Sequence, residues 1–198
     1  MQKKYALFDF DGTLCKGDSI FPFCLYARRQ KLCTTRQLLG GGWAFVLFRL
    51  GRITIEEAKR RSLAWMKGRS RLEMEEVARC FCRDVLEPNF FPDGIAALQK
   101  EKEEGAAVLL ITASPSFYLE PMKEILGVSD VIGTRMDVDP SGLYTSLVGD
   151  NCAGCQIPCG WRSTWPARAT GWITTPPPPT ATPAATCPCW RYAAARWR

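Results

Sequence analysis

Long apolar runs are absent from this chain of 198 residues, and we expect no secretory leader. The longest apolar run, Trp43 to Phe48, is much shorter than the roughly 20 residues of a membrane span, so we expect no membrane segment. We predict instead that this run is a helix buried in a domain interface. Ten cysteines without a leader predict reduced thiols in a cytoplasmic protein rather than a disulfide framework.

Acidic residues, Lys, Leu, Val, Phe and Met are all absent from residues 151–198. The same segment holds five of the seven Trp and eight of the fourteen Pro. Its five Arg account for most of the net charge of +6, because residues 1–150 carry 21 basic and 20 acidic side chains. A segment without a periodic apolar face cannot offset the entropy lost on ordering. We therefore predict an aberrant, disordered tail over residues 151–198.

The most informative motif is Asp9-Phe10-Asp11-Gly12-Thr13, near the N-terminus. An apolar strand, Tyr5 to Phe8, runs directly into it. Because side chains alternate along a strand, Asp9 and Asp11 are predicted to point the same way. Two like charges at the end of a buried strand are costly unless a metal ion or a reacting group uses them. The pair therefore indicates a catalytic site.

Phosphoryl transfer is the chemistry that best fits this motif. A carboxylate such as Asp9 can attack phosphorus and form an aspartyl-phosphate. Asp11 can protonate the leaving alkoxide and then activate water. Mg²⁺ prefers oxygen ligands and would screen the phosphate from the nucleophile, so we expect this ion at Asp9 and Asp11. Backbone N–H groups of Gly12 and Thr13 are expected to bind phosphate oxygens.

Helical signals dominate the segment that follows the motif. Thr54 is predicted as the N-cap of a helix, with Glu57 three residues later as in a capping box. A second helix is predicted after Ser70 and ends by Pro88.

Beyond these helices the pattern changes to alternating helices and strands. A helix is predicted over 95–104, and the apolar run 106–111 is typical of a strand buried on both faces of a parallel sheet. A hydroxyl, Thr112, follows this strand. Two further short strands, within 130–138 and 142–147, predict a hairpin.

These motifs resemble those of the haloacid dehalogenase-like (HAD) hydrolase superfamily, whose first motif is Asp-x-Asp-Gly-Thr. The resemblance implies that Asp9 is the nucleophile and Asp11 the general acid and base of a phosphatase. Thr112 matches the second motif and would donate a hydrogen bond to a phosphate oxygen in the transition state. Ser114 and the start of the helix after it would add further donors.

The helical insertion resembles the cap of the phosphoserine-phosphatase-like subfamily. Asp18 matches the acidic residue that meets the substrate amine in those enzymes. The cap Arg that grips the substrate carboxylate falls at Ser62, so we expect a small phosphomonoester other than phosphoserine as substrate. The implied fold is α/β, with a Rossmann-like parallel-sheet core over 1–14 and 87–150 and an inserted all-helical cap over 15–86.

Two further elements of the family pattern are missing from the C-terminal part. The family has a Lys soon after the position of Gly154 and a late Gly-Asp-x-x-x-Asp motif, whereas residues 151–198 contain no Lys, Asp or Glu. Reading residues 180–190 one base earlier permits the spelling Tyr-Gly-Asp-Ser-Gly-Ser-Asp-Leu-Pro-Leu-Leu, which has the form of that motif. We therefore hypothesise a frameshift near codon 154 and expect impaired activity in this chain.

Two other interpretations of the tail remain open. A zinc site is conceivable, because five cysteines cluster there: Cys152, Cys155, Cys159, Cys187 and Cys189. The arrangement Cys-Pro-Cys is a poor zinc knuckle, however. Five Arg interspersed with five Trp fit phosphates and bases of nucleic acid, but no fold signature supports that partner.

Overall fold

The computed structural model describes residues 5–148 and the dipeptide Trp172–Ile173. Its strands are β1 (Tyr5–Asp9), β2 (Ala107–Pro115), β3 (Asp130–Thr134), β4 (Met136–Val138), β5 (Tyr144–Val148) and β6 (Trp172–Ile173). The main sheet has the order β3–β2–β1–β6, in which β1, β2 and β3 are parallel. The predicted parallel sheet is therefore confirmed. Its central strand β2 is apolar because both of its faces are covered.

Helices fill the long connection between β1 and β2. The α-helices are α1 (Ile20–Arg29), α2 (Thr35–Arg49), α3 (Ile55–Ser62), α4 (Arg71–Phe81), α5 (Pro92–Glu103) and α6 (Met122–Leu126). A π-helical turn, Cys82–Leu86, continues α4 towards α5. The predicted α/β fold with inserted helices is confirmed, while the division into a core and a cap domain stays a prediction.

Local capping explains where two of these helices begin. The Thr54 hydroxyl accepts a hydrogen bond from the Glu57 N–H at 3.2 Å, so α3 begins where the sequence predicts. Helix α2 has a full capping box, in which Thr34 and Gln37 each bond the backbone of the other. The sequence reasoning did not single out that second cap.

The apolar run Trp43 to Phe48 lies in α2, but the prediction that it is buried is wrong. The side chain of Trp43 is 60% exposed and that of Val46 is 44% exposed. Helix α2 packs through its small residues, since a Cβ atom on Gly41 would lie 3.1 Å from the Ser62 Cα. Trp43 and Val46 therefore face outward, whereas Phe45 of the same run packs against the core. Within the described part of the chain, no helix combines the length and hydropathy needed to cross a membrane.

The predicted hairpin is formed in part. Strands β4 and β5 pair antiparallel, but Asp130–Thr134 joins the main sheet beside β2 instead of the hairpin. β3 pairs parallel with β2 on the side opposite to β1, so β2 is an interior strand of the sheet. The rest of the tail prediction lies outside the described residues. Its two described residues, Trp172–Ile173, pair antiparallel with β1, where the sequence predicts no element.

An aromatic cluster joins the helical insertion to the sheet. The Phe23 ring, on α1, stacks on the Tyr118 ring with a centroid distance of 4.6 Å. Its centroid lies 5.2 Å from that of Phe81 and 5.3 Å from that of Phe117, both in edge-on geometry. Such pairs each add about 0.5–1.5 kcal/mol to the burial of their surfaces. The cluster fixes the start of α1 above the carboxyl ends of β1 and β2.

Candidate active site

The carboxyl ends of β1 and β2 meet at one edge of the sheet. Parallel pairing places Asp9 beside Ile111, one position before Thr112. The Phe10 N–H donates to the Ile111 carbonyl at 3.3 Å and extends the pairing past the end of β1. The register therefore brings Asp9 and Thr112 to the same edge, as the sequence predicts.

Asp9 is the exposed carboxylate of this edge. The Thr13 hydroxyl donates to the Asp9 Oδ2 atom at 3.1 Å. Partial desolvation by the surrounding loops raises the pKa of Asp9, the Thr13 hydrogen bond lowers it, and the nearby charge of Asp11 raises it further. The carboxylates of Asp9 and Asp11 thus lie close enough to repel one another. Such a pair is expected where a protein binds a cation or transfers a phosphoryl group.

Asp11 is held by three donors. Its Oδ1 atom accepts the Ser19 N–H at 2.8 Å. Its Oδ2 atom accepts the Thr112 hydroxyl at 2.8 Å and the Ser114 hydroxyl at 2.7 Å. The predicted residues Asp11, Thr112 and Ser114 therefore form one hydrogen-bonded group, which connects the loop after β1 to the end of β2. Hydrogen bonds to an ionised acceptor are among the stronger ones in proteins.

Hydrogen-bonded hydroxyl groups connect Tyr118 to Asp11 through Ser19 and Ser114. The Ser19 hydroxyl donates to the Ser114 oxygen at 3.2 Å and shares a hydrogen bond of 3.0 Å with the Tyr118 hydroxyl. Since Ser19 has one hydroxyl proton and gives it to Ser114, Tyr118 is the donor in the second bond. Burial raises the pKa of Tyr118 well above its ordinary value, so this phenol remains protonated. The chain of donors ends on the carboxylate of Asp11.

The Gly12 and Thr13 N–H groups both donate within the loop, and their role in binding phosphate stays a prediction. The Gly12 N–H donates to the Cys15 carbonyl at 2.9 Å, and the Thr13 N–H donates to the Phe10 carbonyl at 3.3 Å. The loop folds back on itself because Gly12 adopts a φ of +78°, which favours glycine. In this conformation both groups are used within the turn.

Asp18 lies just before α1, at the mouth of the site. Its Oδ1 atom accepts the Ile20 N–H at 2.9 Å. Desolvation raises the pKa of Asp18 most, the charge of Asp11 raises it further, and the charge of Lys59 is among the influences that lower it. Asp18 therefore belongs electrostatically to the same acidic group as Asp11.

Lys59 is a cation of the site that the sequence reasoning missed. This side chain projects from α3 and is only 5% exposed. Its Nζ atom donates to the Ala113 carbonyl at 2.5 Å, and Ala113 lies between Thr112 and Ser114. Lys59 lies four residues after Ile55 and three residues before Ser62, so the three side chains share one face of α3. This spacing is the sequence pattern that could have predicted that Lys59 points inward.

The residues that could hold a metal ion are few. No group of three or more His, Cys, Asp or Glu suited to a metal ion occurs within the described residues. Both Asp11 oxygens already accept hydrogen bonds, whereas the Asp9 carboxylate is open to solvent. The Asp9 carboxylate is therefore the oxygen ligand of this group that a hard cation would reach from solvent. The five tail cysteines of the zinc interpretation lie outside the described residues.

The sequence that forms this site matches the model of a known protein family. The model of the family described as haloacid dehalogenase-like hydrolases matches residues 6–157, which is more than three quarters of the chain. The match includes every predicted site residue.

Individual relatives share less than a third of their aligned residues with this chain. Protein CicA from Caulobacter vibrioides is 29% identical over 155 residues, and a histidinol-phosphatase from Neisseria meningitidis is 25% identical over 144 residues. The alignments cover 73% and 72% of this chain and 65% of each relative, so the chain spans just under two thirds of their length. A solved structure from Bordetella pertussis Tohama I superposes with a TM-score of 0.66 at 24% identity, covering 75% of this chain and 67% of that one. This likeness supports the fold.

Proposed function

The chain belongs to the haloacid dehalogenase-like hydrolase family, and we propose that it hydrolyses a small phosphomonoester through an aspartyl-phosphate on Asp9. The observation that carries this proposal is the contrast between the two carboxylates. Asp9 is exposed and accepts one hydroxyl, whereas Asp11 is fixed by three donors. An open carboxylate suits attack on phosphorus, and a fixed one suits proton transfer at a defined position.

The reaction has two balanced steps. In the first, which begins with Asp11 in its protonated form, an Asp9 oxygen forms a bond to phosphorus while the ester P–O bond breaks, and Asp11 gives its proton to the leaving alkoxide. In the second, Asp11 takes a proton from water, the resulting hydroxide attacks phosphorus, and the Asp9 carboxylate is released. The net change is water plus ester to alcohol plus inorganic phosphate. The Thr112 hydroxyl can rotate from Asp11 to a phosphate oxygen as charge builds there.

Mg²⁺ is the cation we propose for this site. When bound, it would screen the phosphate's negative charge from the attacking carboxylate. The Asp9 carboxylate and the Asp11 backbone carbonyl would hold it, which leaves the Asp11 side chain available for proton transfer.

We further propose a cytoplasmic location, a small-molecule substrate and a reaction that requires no membrane or nucleic-acid partner. The five cysteines within the described residues, Cys15, Cys24, Cys33, Cys80 and Cys82, are all free thiols. Reduced thiols are typical of cytoplasmic proteins.

Turnover by this chain is expected to be slow. Residues 151–198 offer neither a Lys to balance the charges of Asp9 and phosphate nor carboxylates to complete a metal site. The family match also ends at residue 157, close to the change in composition after residue 150. Both facts fit the hypothesis of a shifted reading frame.

Hydrolysis of p-nitrophenyl phosphate with Mg²⁺ tests the proposal. We would compare this chain with a form whose reading frame near codon 154 is restored, each with and without Asp9→Asn. The restored form should be the faster, and Asp9→Asn should abolish its activity. Asp137→Asn, at an exposed position of β4, is the matched control and should leave the rate unchanged. Equal rates for the restored form and its Asp9→Asn variant would exclude Asp9 as nucleophile.

A further inference from the structure

Helix α2 presents an apolar face to solvent, which we call the α2 face. It consists of four side chains with large exposed fractions: Leu39 (67%), Trp43 (60%), Val46 (44%) and Leu50 (65%). Their successive spacings of four, three and four residues place them on one side of the helix. At a rise of about 1.5 Å per residue, the face is roughly 17 Å long.

The α2 face is not needed to pack the helix. The buried residues of α2 are Gly41 and Ala44, and Gly41 lies against Ser62 of α3. Beside the α2 face, Phe21 of α1 is 51% exposed and lines one small cleft together with Gly42. Single exposed apolar side chains are ordinary, whereas several of them on one helical face indicate a contact surface.

Only basic side chains accompany this surface in the sequence. Residues 19–55, which include α1 and α2, contain no acidic residue and six basic ones: Arg28, Arg29, Lys31, Arg36, Arg49 and Arg52. The rest of residues 1–150 carries 15 basic and 20 acidic side chains, so positive charge is concentrated around α2. A partner of the α2 face must therefore offer negative charge beside apolar groups.

We propose that the α2 face docks the chain on an anionic lipid surface. Helices that lie in the plane of a membrane interface combine Trp, Phe and Leu on one face with Lys and Arg around them. The acyl chains would accept the apolar side chains, and the anionic head groups would attract the basic ones. Trp43 suits this position because indole rings favour the level of the head groups.

Two other modes of contact fit the surface less well. A second copy of the chain would bring like charges together, because residues 19–55 contain no carboxylate to pair with them. A membrane span is not involved, since no helix of the described residues has the length and hydropathy for one. The contact is peripheral, and the reaction proposed above does not depend on it.

Cosedimentation of the full chain with lipid vesicles tests this proposal. Vesicles of equal parts phosphatidylcholine and phosphatidylglycerol should bind the chain at least about tenfold more tightly than vesicles of phosphatidylcholine alone, because each basic residue near an anionic surface gains about fivefold in affinity. Added salt should weaken this binding by screening. Equal binding to both vesicles would overturn the proposal. Binding to neither would also overturn it and would favour an acidic protein as the partner.

Substitutions on the apolar face locate the contact. Leu39→Ser and Trp43→Ser should each weaken vesicle binding about tenfold, because each removes a large apolar side chain that would leave water. Leu72→Ser is the matched control, since Leu72 is 77% exposed but lies on α4. It should leave the affinity for vesicles unchanged.

Substitutions of basic residues test the electrostatic part and remain informative if a serine variant does not fold, which circular dichroism would reveal. Arg49→Gln combined with Arg52→Gln should weaken binding to the anionic vesicles about tenfold or more. Arg71→Gln combined with Arg79→Gln removes the same charge from α4, where both side chains are more than half exposed. This control should change binding by less than about twofold.

Two outcomes would assign the binding or the surface to something else. The five Arg and five Trp of residues 151–198 could also attract anionic lipid. If the tail were responsible, the α2 variants would bind as the unchanged chain does, and the role of the α2 face would be overturned. Analytical ultracentrifugation without vesicles covers the other case: a dimer that Trp43→Ser dissociates would assign the α2 face to a second copy and overturn the lipid proposal.

Discussion

Replacement of Phe23 by alanine tests how the helical insertion is held above the sheet. Phe23 is fully buried, at 0% exposure, and its ring contacts the rings of Trp65, Phe81, Phe117 and Tyr118. Phe→Ala substitutions in cores cost about 3–5 kcal/mol. We expect a loss near the upper end, about 4–5 kcal/mol, because the four neighbours come from three separate segments and cannot all move into the cavity.

Urea unfolding followed by circular dichroism measures this loss. Phe21→Ala is the matched control, since Phe21 lies on the same helix α1 but is 51% exposed. We expect it to change the free energy of unfolding by no more than about 0.5 kcal/mol. A Phe23→Ala loss below about 1 kcal/mol, or one equal to that of Phe21→Ala, would refute the role of the aromatic cluster.

Two further predictions concern packing and thiol chemistry. Gly41→Ala should destabilise the fold by about 1–3 kcal/mol, because the new Cβ atom would clash with α3. Gly40→Ala should stabilise it by about 0.5–1 kcal/mol, because its Cβ atom would meet no atom within 4 Å and alanine favours the helix. Urea unfolding measures both changes, and changes of the same sign would contradict this prediction. Burial raises the pKa of Cys24 and of Cys82 to about 12, so little of their reactive thiolate forms at pH 8. Iodoacetamide should therefore label the half-buried Cys80 well before either of them, which peptide mass mapping would show. Because these pKa values are raised in the folded state, their contribution to stability should be complete below pH 9 and decrease as the pH rises towards 12.

The parts of the site that were predictable from sequence are those defined by local pattern. Asp9 and Asp11 follow an apolar strand directly, and Thr112 follows another, so parallel pairing was enough to bring them to one edge. The same reasoning placed the start of α3 at Thr54, because a helix cap depends on residues three apart.

The parts that were missed depend on contacts between distant segments. The hydroxyl of Ser19 meets that of Tyr118, which is 99 residues away, and Lys59 meets the carbonyl of Ala113 across 54 residues. No local pattern encodes such pairs. The exposure of Trp43 was predicted wrongly for a related reason: an apolar run shows that a helix forms, but not which of its faces finds a partner.

The loop after β1 gives a further example. The pattern Asp-Gly-Thr suggested free N–H groups, but the positive φ of Gly12 turns the loop back so that its N–H bonds to the Cys15 carbonyl. The spacing of residues alone could not distinguish a loop that presents its N–H groups outward from one that uses them internally.

Chemical trapping of the intermediate tests the central claim most directly. The frame-restored form would be mixed with p-nitrophenyl phosphate and Mg²⁺, quenched in acid and treated with borohydride, which reduces an aspartyl-phosphate to homoserine. We predict homoserine at position 9, absent without substrate and absent in Asp9→Asn. Release of nitrophenol without any homoserine at position 9, or homoserine at position 11 instead, would contradict the claim that Asp9 attacks phosphorus.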